Sequence, residues 1–241
     1  MNIYQPIIDQ MFLDRYKDRP NDGFFHPSSL SGCARMAVYE VTGTAPSDKK
    51  DVRNIRIMGE GTDMHADIDE EMTKRLPGFL SEVGLAWGDI KGTADGLLPV
   101  GDGVVHYWEG PILRPIYELQ EYKSAGDYKL KMLKRKGQPD PQHVKQARIY
   151  YWALENMGYL MDGIRIAYFA RDDWGVLEFE ASPWTEEECR SFEEDLGLLR
   201  HRVEDGTLPD RLDQEGDMAW LCRYCDFRTR CFKVDKENSR G

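Results

Sequence analysis

The sequence predicts an α/β (α+β) protein with a mixed central sheet flanked by helices. Apolar residues recur at spacings of three and four over a long early stretch, three strand-like runs follow it, and a second long helix separates these runs from a final strand pair. The early stretch runs from about Asp51 to Leu76, with Ile55, Met58, Ile68, Met72 and Leu76 on one stripe and His65 on the same stripe. A shorter helix is expected upstream, capped by Ser28 or Ser29 and carrying Cys33 through Glu40.

The strand runs are FLSEVGLAW (79–87), IKGTADGLLPV (90–100) and PIYELQEYKS (115–124). Gly101–Asp102–Gly103 reads as the turn between the last two, with VVHYW beginning an extended excursion. The basic segment KLKMLKRK leads to the second long helix, with Asp140 as cap, Pro141 in the first turn and Gly158 at the end. GIRIAYFA and GVLEFEA read as a hairpin across Asp172, Asp173 and Trp174, and a capping box of Thr185 and Glu188 opens a third helix to about Val203. No repeat, low-complexity tract or linker interrupts the chain. The expected organisation is one domain over 1–241, with a core at about 51–182 and cysteine-bearing ends at about 28–45 and 209–233.

The chain has 241 residues, 41% of them hydrophobic, and a formal net charge of −11. An acidic surface argues against nonspecific coating of nucleic acid, although phosphate binding depends on local Lys and Arg rather than on the global sum. The N-terminus lacks the features of a signal peptide, and no segment reaches the roughly 18 apolar residues that span a bilayer. A cytoplasmic, reducing location without membrane association is the expectation, and there the five cysteines are better read as ligands or buried thiols than as disulfides.

Asp95 lies in the second strand run, and Glu121 and Lys123 near the end of the third. Residues two apart on a strand project from one face, so Glu121 and Lys123 point together, and antiparallel pairing brings Asp95 to the same place. Two carboxylates converging there suit a hard divalent cation, and an adjacent Lys suits orienting or deprotonating a water. A cross-strand ion pair explains the same residues. His65 suits either a ligand or a satisfied core position, and Gln146 and Tyr150 share a helix face that suits either a site or a core. Glu82, on the preceding strand, is a further carboxylate candidate.

In order, GTDMH, GTADG, EYK and QARIY resemble the motif series of the RecB-like branch of the PD-(D/E)xK nucleases. That resemblance implies a restriction-endonuclease-like core that cleaves DNA with Mg²⁺ or Mn²⁺. It further implies that His65, Asp95, Glu121 and the Tyr122 carbonyl contact the metal, that Lys123 serves catalysis, and that Gln146 and Tyr150 shape the active site or the DNA path.

Cys222, Cys225 and Cys231 form C-x₂-C-x₅-C, a metal-ligand spacing in a polar tail. Zinc and iron–sulfur clusters both take four ligands, and Cys33 and Cys189 are the candidates for the fourth. Cys189 also reads as a half-buried helix residue beside Glu186, Glu187 and Glu188. HPSSLSGCARMAVYE closely resembles the N-terminal cysteine motif of the CRISPR-associated RecB-like exonucleases and of the AddB-type nuclease domain. The resemblance implies that Cys33 joins the three late cysteines around a 4Fe-4S cluster stapling the N- and C-terminal segments. Many relatives have Pro where this chain has Ala34.

Lys129, Lys131, Lys134 and Arg135 suit phosphate binding beside such a site or a merely solvated face, as does Lys136. Arg223, Arg228, Arg230 and Lys233 surround the late cysteines, and Trp108, Tyr122 and Tyr128 are candidate stacking residues. The reading is a DNA exonuclease acting on single strands or duplex ends, with a helicase, recombination (including phage recombination) or CRISPR adaptation partner and with oligomerisation open. The competing reading is a DNA-binding adaptor subunit in which a partner does the chemistry.

Overall fold

A computed structural model describes residues 3–17, 21–108, 110–216 and 218–238. The elements in order are helices α1 (Tyr4–Arg15), α2 (Pro27–Leu30), α3 (Ala34–Val41) and α4 (Val52–Arg75), then strands β1 (Leu80–Trp87), β2 (Ile90–Tyr107) and β3 (Gly110–Ala125). Helices α5 (Asp127–Lys136) and α6 (Pro141–Asn156) follow, then β4 (Leu160–Ala170), β5 (Val176–Ala181), α7 (Glu186–Glu204), a 3₁₀ turn at Ala219–Arg223, and α8 (Arg228–Asn238). Two compact units result, one from Met1–Glu60 with Phe192–Gly241, the other from Gly61–Ser191.

The second unit holds a mixed five-stranded sheet in the order β1-β2-β3-β4-β5, flanked by helices as the sequence predicts. Its pairs are antiparallel except β3 and β4, which run parallel because α5 and α6 intervene and return the chain. Alternation along β3 buries Glu121 at 1% exposure, while Tyr122 joins Met64, Ile68, Phe79, Ala167 and Phe169 in a separate apolar cluster. α6 is buried nearly all round, from Ala147 and Ile149 to Leu154, and packs across β1 to β4. Its start is fixed by Asp140, whose carboxylate accepts the Gln142 N–H at 3.0 Å, with Pro141 at the first position.

Several expectations shift. The Gly101–Asp102–Gly103 segment is not the turn: β2 and β3 stay paired to Tyr107↔Gly110, and the register slips by one residue between Pro99 and Gly101. A glycine-rich strand beside a proline accommodates a bulge as readily as a reversal, so composition alone misplaced the turn. Met58 is 48% exposed and leaves the α4 stripe, whose buried positions include Ile55, Met64 and Ile68.

In the first unit the expected single helix is two, α2 and α3, split at Ser31–Gly32–Cys33, with extended backbone at Cys33. His26 rather than a serine precedes α2, and neither Ser28 nor Ser29 caps a helix. The tail is irregular over 207–216, ahead of the cysteines, and Cys231 and Phe227 are buried with Tyr39. α1 was not anticipated; Tyr4, Ile7, Ile8, Met11 and Phe12 recur at helical spacing, and none of its residues is buried. The capping box at α7 forms as read, Thr185 N–H donating to Glu188 at 2.8 Å and Glu188 N–H to the Thr185 hydroxyl at 3.2 Å. No helix among the described residues is long and apolar enough to cross a membrane.

Candidate active site

The β2–β3 ladder ends at Gly96↔Gln120, so Asp95 and Glu121 stand at the point where the two strands part. There the Tyr122 N–H donates to Asp95 Oδ2 at 2.6 Å, the side chain taking over a donor that the ladder leaves. That bond fixes one carboxylate oxygen. The other, Oδ1, faces His65 Nδ1 at 3.7 Å, and the His65 ring meets the Tyr122 ring edge-on at 6.1 Å.

Lys123 Nζ lies 2.5 Å from Glu121 Oε1 and 3.3 Å from Gln146 Oε1. The expected sharing of a face by Glu121 and Lys123 is therefore realised, and α6 contributes Gln146 to the same group. Tyr150, one turn on, is buried at 7% exposure in the core of α6. Glu121 Oε2 is buried without a hydrogen-bond partner. Burial, reinforced by Asp95 and opposed by Lys123, pushes the Glu121 carboxyl up to about 7. Burial works against the Lys123 ammonium, but Glu121 and Asp95 outweigh it and raise its pKa, so it remains a cation near neutrality. The His65 imidazole follows the same logic: burial is outweighed by the nearby Asp95 carboxylate, and its pKa rises.

A residue that sequence reasoning missed is Asp69, one turn beyond His65 on α4. Its Oδ1 is buried and unpartnered, and its pKa is raised by burial and then by Asp95, with Glu82 adding to the effect and Ser81 opposing it. The i, i+4 spacing from His65 was the available signal. Glu82 is exposed, lies between the pairs Ser81↔Gly96 and Val83↔Ala94, and so stands across from Asp95. Its φ of 48° is a left-handed conformation costing a non-glycine residue about 1–3 kcal/mol.

The donor set is carboxylate oxygen with one imidazole, and it includes a buried oxygen that lacks a donor. Hard cations such as Mg²⁺ and Mn²⁺ fit that chemistry. Among the described residues no group of three or more His, Cys, Asp or Glu side chains is already arranged to hold a metal ion.

In the other unit, Cys33, Cys222, Cys225 and Cys231 line one small pocket with Arg35, Arg211 and Phe232. Three sulfurs accept hydrogen bonds: Cys225 from the Phe227 N–H at 3.4 Å, Cys222 from Gln214 at 3.5 Å and Cys231 from the buried Arg35 at 3.5 Å. Burial, then the neighbouring sulfurs, pushes the Cys225 thiol up to about 11, and burial also raises Cys33. Raised pKa values keep these sulfurs as neutral thiols, and among the described residues they are not arranged as a metal-holding group. Cys189, on α7, does not line that pocket.

The basic segment is α5. Lys129 pairs with Asp140 and Lys131 with Asp127, whereas Lys134, Arg135 and Lys136 are exposed in its last turn.

Residues 116–232 match the family model of the PD-(D/E)XK nuclease superfamily. The match includes Glu121, Lys123, Gln146 and the three late cysteines, and begins after His65 and Asp95. The fold is similar to the crystal structure of SSO0001, with a TM-score of 0.53 and 16% identity over 95% of this chain and 96% of that one. It is also similar to an alkaline exonuclease, LHK-Exo from Laribacter hongkongensis, with a TM-score of 0.52 and 12% identity over 89% of this chain and 96% of that one. At these identities the likeness is one of fold. No curated protein sequence matches the chain.

Proposed function

We propose that this protein is a metal-dependent DNA exonuclease that hydrolyses phosphodiester bonds of single strands or duplex ends. The observation that carries the reading is the convergence of Asp95, Glu121 and Lys123 where β2 and β3 part, with Glu121 Oε2 buried and lacking a donor. An ion pair within β3 alone accounts for Lys123 and Glu121 Oε1, but it leaves that second oxygen unexplained.

Asp95, Glu121, His65 and the Tyr122 carbonyl would hold Mg²⁺ or Mn²⁺, the usual metals of PD-(D/E)XK nucleases. Such a cation neutralises phosphate charge and makes a water more acidic. The protein's own groups do the rest. The Tyr122 N–H holds Asp95 in one orientation, and Gln146 and Glu121 hold the Lys123 ammonium. As a cation, Lys123 orients the attacking water and steadies charge developing on the phosphate. Tyr150 supports α6 behind Gln146, and the exposed Lys134 and Arg135 contact the DNA backbone, with Lys129 and Lys131 joining them when DNA competes for their carboxylate partners.

Within this reading the whole chain, 1–241, works as one RecB-like nuclease domain, related to the CRISPR-associated exonucleases and the AddB nuclease domain. The four cysteines hold a structural 4Fe-4S cluster, and a helicase, recombination or CRISPR adaptation partner supplies the DNA ends.

The test is digestion of end-labelled single-stranded and duplex DNA with Mn²⁺, using closed circular DNA as the control for internal cutting. Wild type should shorten linear DNA and spare the circle. Lys123→Ala should be slower by about 10²–10⁴-fold. Equal digestion by both proteins would overturn the assignment. Anaerobic purification tests the cluster: iron, sulfide and broad visible absorbance are expected, and a colourless protein containing zinc would replace it with a zinc staple.

A further inference from the structure

Asp69 takes no part in the chemistry set out above, yet it is built into the same group of residues. It follows His65 by four positions on α4, so the two side chains leave the helix on one face. From β1, Ser81 lies beside its carboxylate and opposes the upward shift of its pKa. Its Oδ1 is buried and receives no hydrogen bond. The other charged groups that face it are Asp95, Glu82 and His65, and among the described residues no Lys or Arg forms an ion pair with it.

A buried carboxylate oxygen without a donor is costly, and native sites seldom leave one so. Neither Asp95 nor Glu82 can relieve it, since ionised carboxylates only accept. A hydrated divalent cation relieves both deficits, because its charge offsets the carboxylates and its waters donate. Magnesium and manganese sites typically retain several waters and take few protein carboxylates directly, which leaves a role for an acceptor one water away.

We propose that Asp69 is a positioning residue for the cation site, accepting a hydrogen bond from the hydrated cation held by Asp95 and Glu121 and raising the affinity of the site for it. This rests on the nuclease reading given above. Ser81 orients Asp69, and His65 and Asp69 together make one face of α4 the wall of the site.

Mn²⁺ binding, measured by titration calorimetry without DNA, tests the proposal. Asp69→Asn should weaken Mn²⁺ binding by about 10–100-fold, the usual effect of removing an outer partner of a metal site. Asp69→Glu should recover most of that loss. Ser81→Ala should weaken binding in the same direction by less. Thermal unfolding without metal checks that each variant is folded. At saturating Mn²⁺ the cleavage rate of Asp69→Asn should climb back towards wild type, which a merely structural defect would not allow. Lys123→Ala separates the two readings, since it should lose cleavage while keeping its Mn²⁺ affinity. Unchanged Mn²⁺ affinity in Asp69→Asn overturns the positioning role and leaves the nuclease reading standing. Wild type that binds no Mn²⁺ overturns both. Wild-type cleavage rates in Lys123→Ala overturn the catalytic assignment alone.

Discussion

His143 shows how one buried residue ties the site's electrostatics to stability. Its ring bonds the Tyr168 hydroxyl at 2.9 Å, and burial followed by the Lys123 charge pushes its pKa down to about 3, against the pull of Asp140. The unfolded chain protonates near the ordinary histidine value of about 6.5, so between that pH and about 3 the unfolded state binds the extra proton. Stability therefore falls on acidification through this window, by at most about 1.4 kcal/mol per pH unit from this group. Asp140 adds to the loss further down, in the carboxylate range, because Lys129 and the Gln142 N–H hold its pKa low against burial. Urea midpoints should drop from pH 7 to pH 5, and His143→Gln should flatten that drop. An identical pH profile in the variant would rule the histidine out as its source.

Among the elements, β2 and α7 differ sharply in what a small change would do. Gly96 follows Asp95, and a Cβ there would lie 2.3 Å from the Phe79 ring. Gly96→Ala should cost about 1–3 kcal/mol by overpacking, and should also lower the cleavage rate, because relief of the clash moves the backbone that carries Asp95. Thr185→Ala removes a helix cap far along the chain from the proposed catalytic residues. Denaturant titration should show a loss of about 1 kcal/mol with cleavage unchanged. A Gly96→Ala protein with wild-type stability and rate would contradict the close approach to Phe79.

Across the whole molecule, Cys33 and the late cysteines Cys222, Cys225 and Cys231 line one pocket of the first unit. Ligand binding there becomes folding free energy, since the unfolded chain offers no preformed site. On the proposed cluster reading, Cys225→Ser should lose iron and lower the melting temperature, with the loss seen by metal analysis and calorimetry. The same melting temperature with and without bound metal would deny the cysteines a stapling role. In a chain of net charge −11, DNA affinity must come from local cations, and it should fall linearly in log–log form as salt rises.

What the sequence by itself determined is local. The Thr185 and Glu188 capping box, the Asp140 cap, the two-residue spacing of Glu121 and Lys123, and the cysteine spacing are patterns in which neighbouring residues supply their own chemistry. The mixed sheet was legible for the same reason, because period and intervening helices dictate parallel or antiparallel return. The tertiary structure alone decided the β2 bulge in place of a turn, the ion pair of Lys129 with Asp140, and the burial that lifts Glu121 to about 7. It also brought Asp69, visible in sequence as one acid among 43, beside Asp95 with a buried oxygen and no donor. Register, burial and charge environment depend on residues distant in the chain, and these are fixed only when the strands and helices pack.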